Sequence, residues 1–79
     1  MLADGLEVRI KQVMADILDL SADSVDESTA MERIDSWDSL THITLCLAFE
    51  QEFHVSFEVS EIESMLSYTD FVEVLEKKL

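Results

Sequence analysis

Ser36-Trp37-Asp38-Ser39-Leu40 opens directly onto Leu40-Thr41-His42-Ile43-Thr44-Leu45-Cys46-Leu47-Ala48-Phe49-Glu50-Gln51-Glu52-Phe53, and the reading of this join decides the fold. Short polar residues such as Asp38 and Ser39 favour helix starts, where a side-chain oxygen can accept from an otherwise unpaired backbone N–H. The stretch behind them is apolar at helical spacing and free of Gly and Pro, so a helix is expected from about Ser39 to Phe53. A serine at the mouth of that helix is a hydroxyl displayed on a rigid, exposed platform. Nothing close in sequence completes a nucleophilic set: a Ser39–His42 pair lacks a third orienting group and an oxyanion hole. The hydroxyl reads as one that is acted upon.

Working outward, the remaining elements are also helical. The chain has no Pro and one Gly, which disfavours a turn-rich β fold. Leu6, Ile10, Val13, Met14, Ile17 and Leu18 recur at helical spacing, and Asp4 with Glu7 fits a capping box, so the first helix is expected over Asp4 to Leu20. Ser21 to Asp38 is a long polar connection anchored by Val25, Met31 and Ile34. Its length suggests that it wraps the bundle. A short helix is expected near Ser60 to Met65, with Ser60 as cap and Glu63 three residues on. The last helix is expected over Tyr68 to Lys78, capped by Ser67 with Asp70, with the stripe Tyr68, Phe71, Val72 and Leu75. Ser56-Phe57-Glu58-Val59 alternates like a strand but has no partner and reads as loop. The predicted fold is all-α: a small bundle of three longer helices plus one short one, in a single domain over residues 1–79.

Within the Ser39–Phe53 helix the apolar residues cover more than one face. Ile43, Leu45, Cys46, Phe49 and Phe53 form the expected core side. Leu40, Thr44 and Leu47 form a second strip that is expected to stay exposed beside Ser39 as a docking surface. Cys46, deep in an apolar helix, reads as a buried small hydrophobe.

Composition narrows the function classes. The net charge is −13, and from Ile34 to Glu76 there are ten acidic residues and no Lys or Arg. Such a field repels nucleic acid and anionic membranes and steers toward basic patches on proteins. Lower pH or added salt is expected to stabilise the fold by reducing this self-repulsion, until carboxylates that cap helices are protonated. One cysteine excludes an internal disulfide, so the core rests on packing. No apolar run approaches the roughly 18 residues that span a bilayer, and the N-terminus lacks the pattern of a secretory signal, so a cytoplasmic, monomeric protein is expected. His42 and His54 are too far apart for metal-ligand spacing. Asp19-Ser21-Asp23-Val25-Glu27 echoes a calcium loop, but Ser24 and Ala30 stand where that motif needs Gly and Glu, so no metal site is expected.

With these residues in place, Trp37-Asp38-Ser39-Leu40-Thr41-His42-Ile43 followed by Ala48-Phe49-Glu50-Gln51-Glu52-Phe53 resembles the acyl carrier protein family, in its discrete, specialised type. The likeness covers nearly the whole chain, including the order of helices. It implies a 4′-phosphopantetheine arm on Ser39, flanked by Asp38 and Leu40, whose thiol holds acyl groups as thioesters. It implies a carrier with no catalysis of its own, serving a fatty-acid, polyketide or related pathway. The implied partners are a phosphopantetheinyl transferase and acyl-activating and acyl-transferring enzymes with basic docking patches. Leu40, Thr41, Thr44, Leu47 and Glu50 are the expected partner-facing residues. Trp37 joins them as the residue flanking the motif, although a tryptophan here packs as an anchor more often than it contacts a ligand. Thr41 and Thr44 replace acidic residues usual in fatty-acid carriers, and Gln51 interrupts the acidic cluster, which points away from general fatty-acid enzymes. An aminoacyl or peptidyl carrier, or a helical interaction module without the arm, are the alternatives.

Overall fold

Four α-helices follow one another in the computed structural model, which describes residues 2–79, with side chains from Gly5 onward. They are α1 (Leu2–Leu18), α2 (Ser39–Phe53), α3 (Val59–Ser64) and α4 (Tyr68–Lys78). The 19–38 connection carries two 3-10 turns, Ala22–Ser24 and Met31–Arg33. Among the described residues no strand forms, and an isolated antiparallel bridge joins Ala30 to Ser67. The all-α bundle expected from the sequence is the observed fold.

α2 and α4 have the bounds that their caps and apolar stripes predict. Ser67 Oγ accepts from the Asp70 N–H at 3.2 Å, and Lys77 and Lys78 lie in the last turn of α4, where cations suit the helix dipole. α1 differs from expectation at both ends. It begins at Leu2, so Asp4 sits within the helix instead of capping it, and the Asp4 side chain lies outside the described residues. It stops at Leu18 because Asp19 adopts a left-handed conformation, φ 59°, from which the Leu20 N–H reaches back to the Ala15 carbonyl at 2.9 Å. α2 ends in the same way: His54 has φ 57°, and the Val55 N–H reaches the Glu50 carbonyl. This left-handed C-terminal motif usually takes Gly. With Asp and His in that role, the apolar pattern alone overran the end of α1. α3 starts one residue early. Its cap is Glu58, whose N–H donates to Glu61 Oε1 at 2.8 Å, and Ser60 is an ordinary exposed residue of its first turn.

The core is built from one face of each long helix plus the connection. Ile10, Met14 and Leu18 come from α1, Leu45, Cys46, Phe49 and Phe53 from α2, and Tyr68, Phe71 and Leu75 from α4. Val25 and Trp37 contribute from the connection, and Phe57 and Met65 from the segments flanking α3. Of the anchors expected in the connection, Val25 is fully buried, whereas Met31 and Ile34 are half-buried against the core. Phe71 is the hub. Its ring lies 4.7 Å from Phe49, 6.0 Å from His42, 6.2 Å from Trp37 and 6.5 Å from Phe57, centroid to centroid.

Polar contacts tie the elements together at the rim. The Met31 N–H donates to the Leu66 carbonyl and the Tyr68 N–H to the Thr29 carbonyl, so the connection is laced to the start of α4. Tyr68 Oη donates to Glu7 Oε1 on α1 at 3.1 Å; burial, then this carboxylate, push the phenol up to about 12. Arg9 lies over the Phe53 ring at 4.6 Å and pairs with Glu52 at 3.0 Å. Lys78 pairs with Glu61 at 2.9 Å, linking the end of α4 to α3. Exposed pairs of this kind contribute at most about 1 kcal/mol each, so packing carries the stability.

Candidate functional site

Ser39 is the first residue of α2, and its side chain is exposed. Asp38 precedes it as the N-cap, with extended backbone, and its Oδ1 accepts from the Thr41 N–H at 2.8 Å. This hydrogen bond from the Thr41 amide holds the Asp38 carboxyl below the usual carboxylate range. Ser36, the competing hydroxyl in the motif, is engaged: its Oγ donates to the Leu18 carbonyl at 2.7 Å and closes the end of α1. The connection is thereby pinned on one side of Trp37 to α1 and on the other to α2. Ser39 stands at the join.

The depressed Asp38 carboxyl has a consequence for stability. A group whose folded value is lowered stabilises the fold above the ordinary carboxylate range and loses that contribution as pH falls through it. Acidification from neutral pH should therefore lower the urea midpoint of the wild-type protein more than that of Asp38→Asn. The asparagine keeps a cap acceptor that does not titrate. Equal losses in the two proteins would remove this role.

The other expected residues divide into three groups. Leu40 and Leu47 are exposed, at 77% and 55%, and Thr44 is exposed beside them, its hydroxyl donating back to the Leu40 carbonyl. Ile43, expected in the core, is exposed as well and widens this strip. Its place inside is taken by His42. The buried stripe of α2 runs His42, Leu45, Cys46, Phe49, Phe53, a regular helical repeat headed by a polar residue. That repeat was present in the sequence, but a histidine at its head does not register as apolar. Leu47→Ala should cost no more than about 0.5 kcal/mol, as for surface positions generally, against roughly 3–5 kcal/mol for Phe49→Ala. Chemical denaturation of the two variants checks this, and equal losses would place Leu47 in the core.

Trp37 corrects an expectation. It is 2% exposed and offers no surface to a partner. Its ring lies against His42 and Phe71, and its Nε1–H donates to His42 Nδ1 at 3.0 Å. The indole is an anchor that fixes the residue before Asp38.

Glu50 has a structural task. Its Oε2 accepts from the Phe57 N–H at 2.8 Å and holds the α2–α3 loop. Glu52 is paired with Arg9. Of the acidic residues near the motif, Asp35 and Asp38 remain exposed without a cationic partner among the described residues.

Among the described residues no catalytic set converges on Ser39. His42 uses both ring nitrogens inside the protein: Nδ1 accepts from Trp37, so Nε2 carries the proton and donates to the Ile62 carbonyl at 2.6 Å. It is therefore no base for Ser39. Cys46 is buried, and burial, then Glu50, push its thiol up to about 11, which leaves it protonated at neutral pH. Thr41 is half-buried in the first turn of α2.

A four-helix bundle that presents an exposed hydroxyl at a helix mouth fits the small helical carrier domains that the sequence resembles. The comparison with known families agrees: residues 8–77 match the family described as "Phosphopantetheine attachment site". The chain belongs to the acyl carrier protein family and is a phosphopantetheine-attachment domain. It is 32% identical to an acyl carrier protein of Petrotoga mobilis, over 100% of this chain and 93% of the relative. It is 34% identical to an acyl carrier protein of Picosynechococcus sp., over 89% of this chain and 86% of the relative. It is 33% identical to the acyl carrier protein AcpP of Rhizobium meliloti, over 87% and 88% respectively. The cofactor of this family is 4′-phosphopantetheine. No described helix is long and apolar enough to cross a membrane.

Proposed function

We propose that this protein carries acyl intermediates on a 4′-phosphopantetheine arm attached to Ser39. The observation that carries the reading is the exposure of Ser39 as the first residue of α2, while the neighbouring Ser36 hydroxyl is tied to the Leu18 carbonyl. The site fits the arm. An exposed hydroxyl leaves a transferase free access, and the positive end of the α2 dipole favours a phosphodiester at that position. When bound, the arm supplies a thiol that holds acyl groups as thioesters. This chain's own residues provide the mounting. Asp38 caps the helix, Trp37 anchors the residue before it, and Leu40, Ile43, Thr44 and Leu47 give partners an apolar surface next to Ser39. Docking through that surface raises the effective concentration of the cargo at each partner's active site.

The finer reading is a discrete carrier in the cytoplasm, dedicated to a specialised fatty-acid, polyketide or related pathway. Three features support it: Thr41 and Thr44 carry no charge, Glu50 holds the α2–α3 loop, and Glu52 is neutralised by Arg9. The docking side of α2 is thus more apolar than acidic. A phosphopantetheinyl transferase and acyl-transferring enzymes are the proposed partners.

Intact-mass measurement after incubation with coenzyme A and a broad-specificity phosphopantetheinyl transferase tests the proposal. A gain of one arm per chain is expected. No gain would leave a helical interaction module that keeps the fold without the cofactor.

A further inference from the structure

We propose that Trp37, His42 and the Ile62 carbonyl form a proton-operated latch that holds α3 and the long connection against α2. The three groups come from three separate segments. Trp37 ends the connection, His42 lies on α2, and Ile62 lies on α3. One imidazole bridges them, accepting at Nδ1 from Trp37 Nε1–H at 3.0 Å and donating from Nε2–H to Ile62 at 2.6 Å. The bridge works in a single protonation state. A second proton must sit on Nδ1, where it meets the indole N–H head-on, donor against donor. The indole then loses its acceptor in a buried setting, and a charge is placed in the core beside Phe71.

Among the described residues no ion-pair partner stands against the ring to offset that charge directly. On α2 the group nearest to Nε2 is the Cys46 thiol at 3.9 Å, which is neutral. Asp38, one turn earlier, is committed to the Thr41 N–H. From α3, Glu61 is engaged by the Glu58 N–H and Lys78, and Glu63 is exposed. From α4, His42 meets the Phe71 ring, and the adjacent Asp70 accepts from the Leu66 N–H. Among the described residues, none of the recorded contacts of the ring is a carboxylate.

α3 is the element with least to lose. It has six residues, none of them buried. It is held by the His42 contact, by Lys78–Glu61, by half-buried Ile62 and, at its flanks, by buried Phe57 and Met65. Protonation of His42 therefore loosens α3 between its anchored flanks, and Trp37 beside it, while α1, α2 and α4 stay packed on Phe49, Phe71 and Ile10.

The test uses the whole protein without any arm, so it is independent of the carrier reading. Trp37 is the sole tryptophan, and its emission reports the latch directly. Emission is followed as the pH is lowered from about 8, with far-UV circular dichroism marking where global acid unfolding begins. Wild-type protein and His54→Gln should show the same single step, and His42→Gln should show none. Hydrogen exchange over the same range gives a second readout. Protection at the Ile62 and Met65 amides should fall about five- to tenfold relative to α1 amides, the loss of roughly one buried hydrogen bond. A step that persists in His42→Gln overturns the latch, as does equal loss of protection in α1 and α3. Should His42→Gln fail to fold, the wild-type exchange comparison decides alone.

Discussion

Ser39→Ala is expected to abolish the mass gain on incubation with coenzyme A and a phosphopantetheinyl transferase, while far-UV helicity stays at the wild-type level. The effect is all-or-none because a methyl group offers no oxygen to form the phosphodiester. The fold should survive for three reasons. Asp38, not Ser39, caps α2 by accepting the Thr41 N–H. Ser39 is exposed and leaves no cavity. Alanine is the best helix former. Ser36 should not substitute, since its hydroxyl is committed to the Leu18 carbonyl and sits outside the helix. Modification of Ser36 or of any other serine in the variant, read by peptide mass mapping, would be evidence against the assignment of Ser39. Ser36→Ala is the matching control. It should keep the full mass gain and lose some stability at the end of α1.

Phe71→Ala should be the most damaging core substitution. Phe71 is fully buried, and its ring is the one that Trp37, His42, Phe49 and Phe57 all meet. Phe→Ala in a core costs roughly 3–5 kcal/mol, and a cavity at a meeting point of several rings has little scope to collapse. Domains have only about 5–15 kcal/mol in total, and one this small lies toward the low end. The variant should therefore be largely unfolded or loosely packed at room temperature. Near-UV circular dichroism and the urea transition would show it. Phe71→Leu, which keeps most of the volume, should restore a cooperative transition. A Phe71→Ala transition as stable as that of Leu47→Ala would mean that the aromatic cluster does not hold the core.

The two variants separate layers that the carrier reading needs to be separate. Ser39 and the strip Leu40, Ile43, Leu47 lie outside the packing, and Phe49 and Phe71 lie within it. A surface that changes hands between enzymes can be altered without unfolding the protein only if the core is closed beneath it. Here the closure is aromatic, and the N-terminal end of α2 is tied into it through Trp37 and His42.

Much of this arrangement was legible in the chain itself. Caps and stripes are local: Asp38 before Ser39 and Ser67 before Tyr68 mark helix starts because side-chain oxygen and orphan N–H lie within a few residues of each other. The serine at the helix mouth and the excess of apolar residues on α2 follow from spacing alone. The inward face of α2 was legible except at its head, where the choice between His42 and Ile43 depends on groups distant in the chain. His42 goes inside because Trp37 and the Ile62 carbonyl wait there to satisfy both its nitrogens, and Ile43 is left outside. The end of α1 was likewise missed, because Asp19 adopts the left-handed conformation for which glycine is the usual signal. The acidic cluster looked like a docking field in one dimension. Only in three dimensions do Arg9 and the Phe57 N–H claim Glu52 and Glu50. The physical reason is common to His42 and to the carboxylates. Hydrophobic periodicity is read from neighbours in sequence, whereas the satisfaction of a buried polar group or a carboxylate is decided by partners that only the tertiary fold brings within hydrogen-bond distance.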